Sequence, residues 1–415
     1  MSSLRNRVVG PARSFGLSLV ELMVAIVIGM LSMLVVFQVF TTFEEQKRVS
    51  TGGSESLEHG AIALNMLASR IGQAGFGMMV PNTLDCLVRG SSEPIDPAGT
   101  DSDYTFRLRP VSITQGANGA PDQVSIMFGN SPMILGGVDL IEPQDGTEAD
   151  FQVTDTYGFG PRHRFVVTQP NSNPRKDCTL REATQVSNVS PFVIKHASRF
   201  NYTDNRQPEK SQNNKIGGSG VAYLRGAKVY NFGNLSASIF AVREGHLLMG
   251  SPLVAAAAWA LLLDNVVSIQ AVYGFDTRAE NTRNGTVVVD TYSEVLIDAD
   301  GDGQRIGFPQ EGDTDPDDWL RLGALRIGLV VRTSQAEMPA SRDAAQCTAT
   351  TDSTLSFPWA YRDAGGTNRV SRSVDVSKEY DIDGNQTERA DWRCYRYKAF
   401  DTIVAMRNIK WNLPK

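Results

Sequence analysis

Apolar residues fall along this chain in three patterns. The first is an almost unbroken run: residues 17–40 read LSLVELMVAIVIGMLSMLVVFQVF, with a single charge at Glu21. A hydrocarbon layer takes about 20 consecutive apolar residues in helical form, so this run predicts a membrane-spanning helix. The second pattern steps by four, three, four and three through Leu57, Ala61, Leu64, Ala68 and Ile71, which predicts one apolar stripe on a helix. Between the two lies Thr51-Gly52-Gly53-Ser54. Each helical glycine costs about 1 kcal/mol relative to alanine, so a kink or break is predicted there. Gly72, Gly75 and Gly77, with Pro81 just beyond, close the helical region.

The third pattern is alternation. Val124, Ile126 and Phe128 interleave with Ser125 and Met127; Leu235, Ala237 and Ile239 with Ser236 and Ser238; Leu325, Ile327 and Leu329 with Arg326 and Gly328. These predict half-buried strands. Leu253 to Leu263, LVAAAAWALLL, is the second most apolar run. It is too short to cross a bilayer and reads as a short buried helix leading into a strand over Val266–Tyr273. The polar stretches Gln169–Pro174 and Thr203–Gly220 lack the apolar content to pack a core and read as mobile surface loops. The fold class is therefore α+β: one long helix, then an antiparallel sheet domain with large loop insertions.

Glu21 is the anomaly in the first run. A carboxylate inside a spanning segment costs roughly 2.5–3.5 kcal/mol on insertion scales and points to function. A cleaved secretory signal does not account for the run, which is too long and is followed by no small-residue cleavage site. A plain signal anchor accounts for its length but not for Glu21 or for the preceding Gly16. Arg5, Arg7 and Arg13 precede the run with no acidic residue among them, which keeps that end cytoplasmic and the body periplasmic.

Basic leader, Gly16, Leu17 and Glu21 at the fifth place after the glycine resemble a type IV prepilin N-terminus. Leu17 departs from the phenylalanine usual in major pilins. The resemblance implies cleavage between Gly16 and Leu17 by a prepilin peptidase, N-methylation of Leu17, and pairing of Glu21 with the new amino terminus as helices assemble. Segments in the body point the same way. Leu263–Val266, Gln270–Asp276, Trp319, Trp392–Tyr397 and Arg407–Trp411 resemble PilW-type minor pilins. The fold this implies is pilin-like. Its parts are a leader (1–16), a transmembrane helix (17–40), a periplasmic helical continuation (41–72) and a β-rich head (73–415) of one or two subdomains.

Composition adds two sites. The cysteines Cys86, Cys178, Cys347 and Cys394 all follow the span, which puts them in an oxidising compartment. Of the three pairings that four thiols allow, the reading favours Cys86–Cys178 and Cys347–Cys394, which join sequence neighbours. The segment Asp298-Ala299-Asp300-Gly301-Asp302-Gly303-Gln304 has the alternate-carboxylate spacing of a calcium loop, with Asp298, Asp300, Asp302 and the Gln304 carbonyl as ligands. Pro309 stands where such a loop carries its closing glutamate, and an acidic turn without metal has the same composition. Glu311, Asp313, Asp315, Asp317 and Asp318 crowd further negative charge nearby.

The chain carries a net charge of −6 and no basic stripe, which speaks against nucleic acid as partner. No phosphate-binding loop, nucleophile elbow or His pair with metalloprotease spacing occurs among its residues, including His59, His163, His196 and His246. The expectation is a non-enzymatic minor pilin of the inner membrane and pilus tip. The resemblance implies major and minor pilins as partners, together with a tip adhesin. A type II secretion pseudopilin and a membrane-anchored binding or adhesion module are the alternatives; a periplasmic enzyme on a signal anchor ranks last.

Overall fold

The computed structural model describes residues 18–78, 83–92, 102–131, 136–146, 150–169, 172, 176–198, 200–204, 206, 211, 213–214, 220–253, 259–283, 285–303, 316–337, 347–362, 369–381 and 384–410. The leader, Gly16 and Leu17 lie outside these residues, as do Gln304 and Pro81. Two units divide at Gly53 and Ser54.

The helix runs from Leu19 to Ile71. The expected break at 51–54 is absent, because all four residues lie inside this helix. Stopping there would orphan a turn of carbonyls and amides at each new end, whereas propagation adds one hydrogen bond per residue fixed; that gain outweighs two glycines. The buried stripe is also not the one expected. Of the expected positions Ile71 is buried and Leu64 and Ala68 partly so, whereas Leu57 and Ala61 are exposed and Ser56, Gly60, Ala63 and Leu67 are buried in their place. At Gly60 the helix comes against the sheet directly: the Phe400 ring occupies the space a Cβ there would need. Past Ile71, Gly75 and Gly77 turn the chain with φ of 78° and 69°.

The helix packs on a six-stranded sheet of order Arg369–Asp375, Thr354–Arg362, Thr291–Ser293, Val266–Phe275, Leu322–Arg332 and Tyr397–Ala405. All its pairs are antiparallel except Thr291–Ser293 with Thr354–Arg362. Ile269, Ala271, Tyr273, Leu325, Ile327 and Leu329 face the helix residues Ala63, Leu67 and Ile71. Val272 and Val330 face the other way, onto Phe357, Trp359 and Tyr361. The central strands are thus covered on both faces, which is why they read as nearly continuous apolar runs. At Gly328 a Cβ would lie 2.5 Å from Phe357 and Trp359, so the two rings fill the place of its missing side chain.

A five-stranded sheet follows the order Ala260–Asp264, His246–Gly250, Ser236–Arg243, Gln123–Phe128, Val111–Thr114. Its middle strand is also two-sided. Phe240 and Val242 join the core under the helix, and Leu235 and Ala237 join a second core. Ser238, on the first of these faces, is therefore buried and Ile239 only half-buried, a departure from the simple alternation expected. Residues 254–258 of the run LVAAAAWALLL lie outside the described residues; its last part departs more, since Ala260–Asp264 is an edge strand, with Leu263 opposite Leu247, rather than a helix. Cross-strand packing outweighs the helical preference of alanine and leucine.

A second six-stranded sheet has the order Ser102–Arg107, Leu87–Ser92, Cys178–Glu182, Arg164–Thr168, Lys228–Gly233, Val138–Asp139. Disulfides join Cys86 to Cys178 and Cys347 to Cys394. Parts of the two polar stretches lie outside the described residues, but Ser211, Asn213 and Asn214 are buried rather than on a surface loop. The Asn214 amide accepts from Glu182 N at 3.0 Å and donates to Glu182 O at 2.9 Å, so a polar side chain here completes a strand's backbone.

Arg372 fastens the outer strand to the rest. It donates to Asp122 at 2.6 Å, Gln115 at 2.7 Å, Glu294 at 3.1 Å and Tyr361 at 3.3 Å, and to Gln270. Asp122 is fully buried and also accepts from Gly116 N and Ala271 N. Removing one partner of a buried pair leaves a desolvated charge and costs about 3–5 kcal/mol. Arg372→Met is therefore expected to destabilise the folded chain by about 3–5 kcal/mol in chemical denaturation, and the double change Arg372→Met with Asp122→Asn to recover part of that loss.

Candidate functional site

Two regions carry unusual chemistry. In the first, every large apolar side chain from Leu19 to Phe40, with Phe43 beyond, is exposed. This is a helix long and apolar enough to cross a membrane. Glu21 stands in its first turn, where Leu22 N donates to Ser18 O at 3.0 Å. An acidic residue in a first turn complements the exposed amides of a helix start. The cleavage and methylation positions, Gly16 and Leu17, lie outside the described residues.

The second region is the acidic turn. Asp298 accepts from Gly301 N at 2.7 Å and Gly303 N at 2.9 Å, and Asp300 accepts from Asp302 N at 3.1 Å. Gly301 and Gly303 sit at φ of 83° and 90°, a conformation other residues rarely adopt. The helix Pro316–Arg321 brings in a third carboxylate, Asp318, which is fully buried and accepts from Ala299 N at 2.5 Å. Oxygens of Asp298, Asp300 and Asp318 all lie within 4.8 Å of one another. Asp302 is not part of this group, and Gln304 lies outside the described residues. Burial, together with Asp302 and Asp298 nearby, pushes the Asp300 carboxyl up. Sequence reasoning counted Asp318 only as surrounding charge. The legible signal was Asp-Asp directly before Trp319, a residue whose complete burial draws its neighbours inward.

A cationic belt positions this turn. Arg321 donates to Arg278 O at 2.8 Å and reaches Ala299 O at 3.4 Å, and it pairs with Glu280 at 3.2 Å. Arg278 in turn clamps Asp276 through two hydrogen bonds of 2.8 Å, and Val288 N adds a third at 2.9 Å. Asp276 N donates to Arg321 O, which ties the strand Val266–Phe275 to the helix carrying Asp318.

Residues 254–408 match the family described as Type IV Pilus-assembly protein W, PilW. The matched stretch takes in the central strand pair, the acidic turn, Trp319 and the Cys347–Cys394 disulfide. No curated protein matches the chain. PilW is a family of pilus-assembly components, so the match carries a role in type IV pilus assembly.

Burial pushes the Asp276 carboxyl up, but the hydrogen bonds from Arg278 and Val288 more than reverse this and hold it at about 2, against an ordinary 3.8. A carboxyl depressed in the folded state stabilises it above its unfolded value and loses that contribution as pH falls toward the folded one. Stability is therefore expected to drop as pH falls from 3.8 toward 2, and Asp276→Asn to flatten that limb of the stability profile measured by urea denaturation.

Proposed function

We propose that this PilW-type type IV pilus protein is a minor pilin, held in the inner membrane by the helix that starts at Leu19 and presenting its sheet domain to the periplasm. The observation that carries this reading is the division of labour within one helix. Its first part offers mainly apolar side chains, with Ser32, Gln38 and one carboxylate among them; its last turns, from Gly60 to Ile71, are built into the core of the head. Such an element is suited to exchange lipid for the helices of other pilins while the head stays folded. The fold is accordingly read as pilin-like, with residues 1–16 as leader and cleavage after Gly16. Leu17 then carries a free, methylated amine. Glu21 of a neighbouring subunit neutralises that amine, since an unpaired charge in apolar surroundings costs several kcal/mol. The pairing sets register among major and minor pilins in a priming or tip complex. The head contributes contacts rather than catalysis. Two disulfides suit an oxidising periplasm, and the PilW match favours a pilus over a secretion pseudopilus.

A second proposal concerns the acidic turn. Asp298, Asp300 and Asp318 converge from two elements on one point, and hard oxygen donors at this separation suit calcium, which takes its ligands at about 2.3–2.6 Å. Bound calcium would offset the mutual repulsion of the three carboxylates and lock the helix Pro316–Arg321 to the turn.

Mass spectrometry of the chain from its native membrane is expected to find Leu17 as the methylated first residue. Glu21→Ala is expected to insert normally yet fail to co-purify with partner pilins; an intact leader on functional protein, or undiminished co-purification, overturns the reading. In a thermal melt of the full chain in detergent, millimolar calcium is expected to raise the melting temperature and magnesium to raise it less. Asp300→Ala is expected to abolish the calcium shift, and a wild-type melt indifferent to calcium refutes the metal site.

A further inference from the structure

The six-stranded sheet that holds the helix ends on one side at Tyr397–Ala405, nine residues whose ladder neighbour is Leu322–Arg332. The ends of this pair reveal which backbone groups it uses. Met406 N donates to Gly323 O and Thr333 N to Arg396 O, each at 3.0 Å. Bonded and non-bonded positions alternate in an antiparallel pair, so Lys398, Phe400, Thr402 and Val404 exchange hydrogen bonds with Leu322–Arg332. The amides and carbonyls of Ala399, Asp401, Ile403 and Ala405 point the other way, out of the sheet edge. These four residues are exposed, and their outward backbone groups meet no hydrogen-bond partner among the described residues.

Proteins blunt such edges by shortness, bulges, proline or charge. The other sheet edges here show these devices. Val111–Thr114, Val138–Asp139, Phe151–Gln152 and Gln185–Ser187 have two to four residues. The ladder of Ala260–Asp264 carries a register shift. That of Arg369–Asp375 carries another, and the strand holds two arginines. Ser102–Arg107 is charged at Asp103 and Arg107. Tyr397–Ala405 is longer than all of these, keeps its register unbroken, contains no proline and has its one lysine near an end. In its middle it exposes Ile403, at 53%. The strand that grips the helix through Phe400 thus offers an open template on its far side.

Charge selects the occupant. A second copy in the fully overlapping antiparallel register sets two Asp401 carboxylates opposite one another, and like charges directly opposite destabilise a pair. Arg326 holds Asp401 through Oδ2 alone, at 2.7 and 3.1 Å. Oδ1 is left to accept from a donor on the docking strand. We propose that Tyr397–Ala405 takes up an extended segment of a different protein chain as a further antiparallel strand, with a lysine or arginine opposite Asp401 and an apolar residue opposite Ile403. Main-chain bonds supply the affinity and these two side chains the selection. The inference rests on the sheet edge and not on the pilin reading.

The test uses the full chain in detergent micelles and an end-capped synthetic peptide, Thr-Val-Ile-Thr-Lys-Val-Thr-Glu-Thr. At full overlap its lysine lies opposite Asp401 and its isoleucine opposite Ile403. Residue-resolved amide exchange is expected to slow by about tenfold or more at Ala399, Asp401, Ile403 and Ala405 when the peptide saturates the chain. Phe400 and Thr402, already bonded, are expected to exchange slowly with and without it. Glutamate in place of the peptide lysine is expected to weaken binding severalfold, and N-methylation of the peptide amides that face the chain to abolish it. Ala399→Pro removes one outward N–H and leaves the ladder to Leu322–Arg332 intact, as proline on an edge strand can. Ile403→Lys supplies the charge that other edges carry. Each is expected to keep the melting temperature within a few degrees and to weaken the peptide by about tenfold or more. Unchanged exchange at the four outward amides up to millimolar peptide overturns the proposal. So does tighter binding of the glutamate peptide, or binding that survives N-methylation or both substitutions. Preference for a peptide copying residues 397–405 overturns it in favour of a second copy.

Discussion

One helix has to satisfy two solvents, and the remaining structure is arranged around that demand. From Leu19 to Phe43 its large apolar side chains lie exposed. Burying a Val, Leu, Ile, Phe or Met side chain is worth about 1.5–3 kcal/mol, so the whole set represents on the order of tens of kcal/mol that only lipid or other apolar helices can supply. From Gly60 onward the same helix does the opposite. Small residues let it lie flat on the strands Val266–Phe275 and Leu322–Arg332, and Leu67 and Ile71 fill the space between. The head therefore grips the helix along its later turns, where Ser56 is also buried and Glu55 accepts from Ser334, and its grip has to be strong. A core covered on both faces of the central sheet provides that strength.

The position of the grip was only half legible in the sequence. Periodicity gave a helix with an apolar face, yet the face was placed about one residue away from its true position. Hydrophobicity ranks Leu57 above Gly60, whereas close packing against Phe400 ranks them the other way. The same blindness to context affected the last residues of LVAAAAWALLL, Ala260 to Leu263. Its alanines and leucines favour a helix in isolation, and only the pairing of Leu247 with Leu263 reveals a strand. Alternation at Leu325, Ile327 and Leu329 told correctly of one buried face but not of the second layer, because Phe357, Trp359 and Tyr361 arrive from more than eighty residues downstream of Val272.

The candidate sites were legible in proportion to their locality. Asp298 and Asp300 are near neighbours in sequence, so spacing found them. Asp318 joins them through a separate helix, and Asp302, which shares the spacing, does not. Asn213 and Asn214 belong to a stretch whose composition suggested a loose surface loop. In the fold they are buried, because an amide side chain can complete a strand's backbone as water would.

The two disulfides show how differently the halves of the head are held. Cys347–Cys394 closes a separation of 47 residues next to the sheet that grips the helix, within the stretch matched to PilW. Cys86–Cys178 closes 92 residues and pins the one parallel contact of the other six-stranded sheet, where Val88 meets Cys178. A cross-link across a longer loop removes more entropy from the unfolded chain, about 4–5 kcal/mol at these lengths in the chain-entropy model. The longer closure falls on the second six-stranded sheet, where a parallel contact of two residue pairs gives little stability by itself. Covalent closure there holds Leu87–Ser92, and through it Ser102–Arg107, in register with Cys178–Glu182.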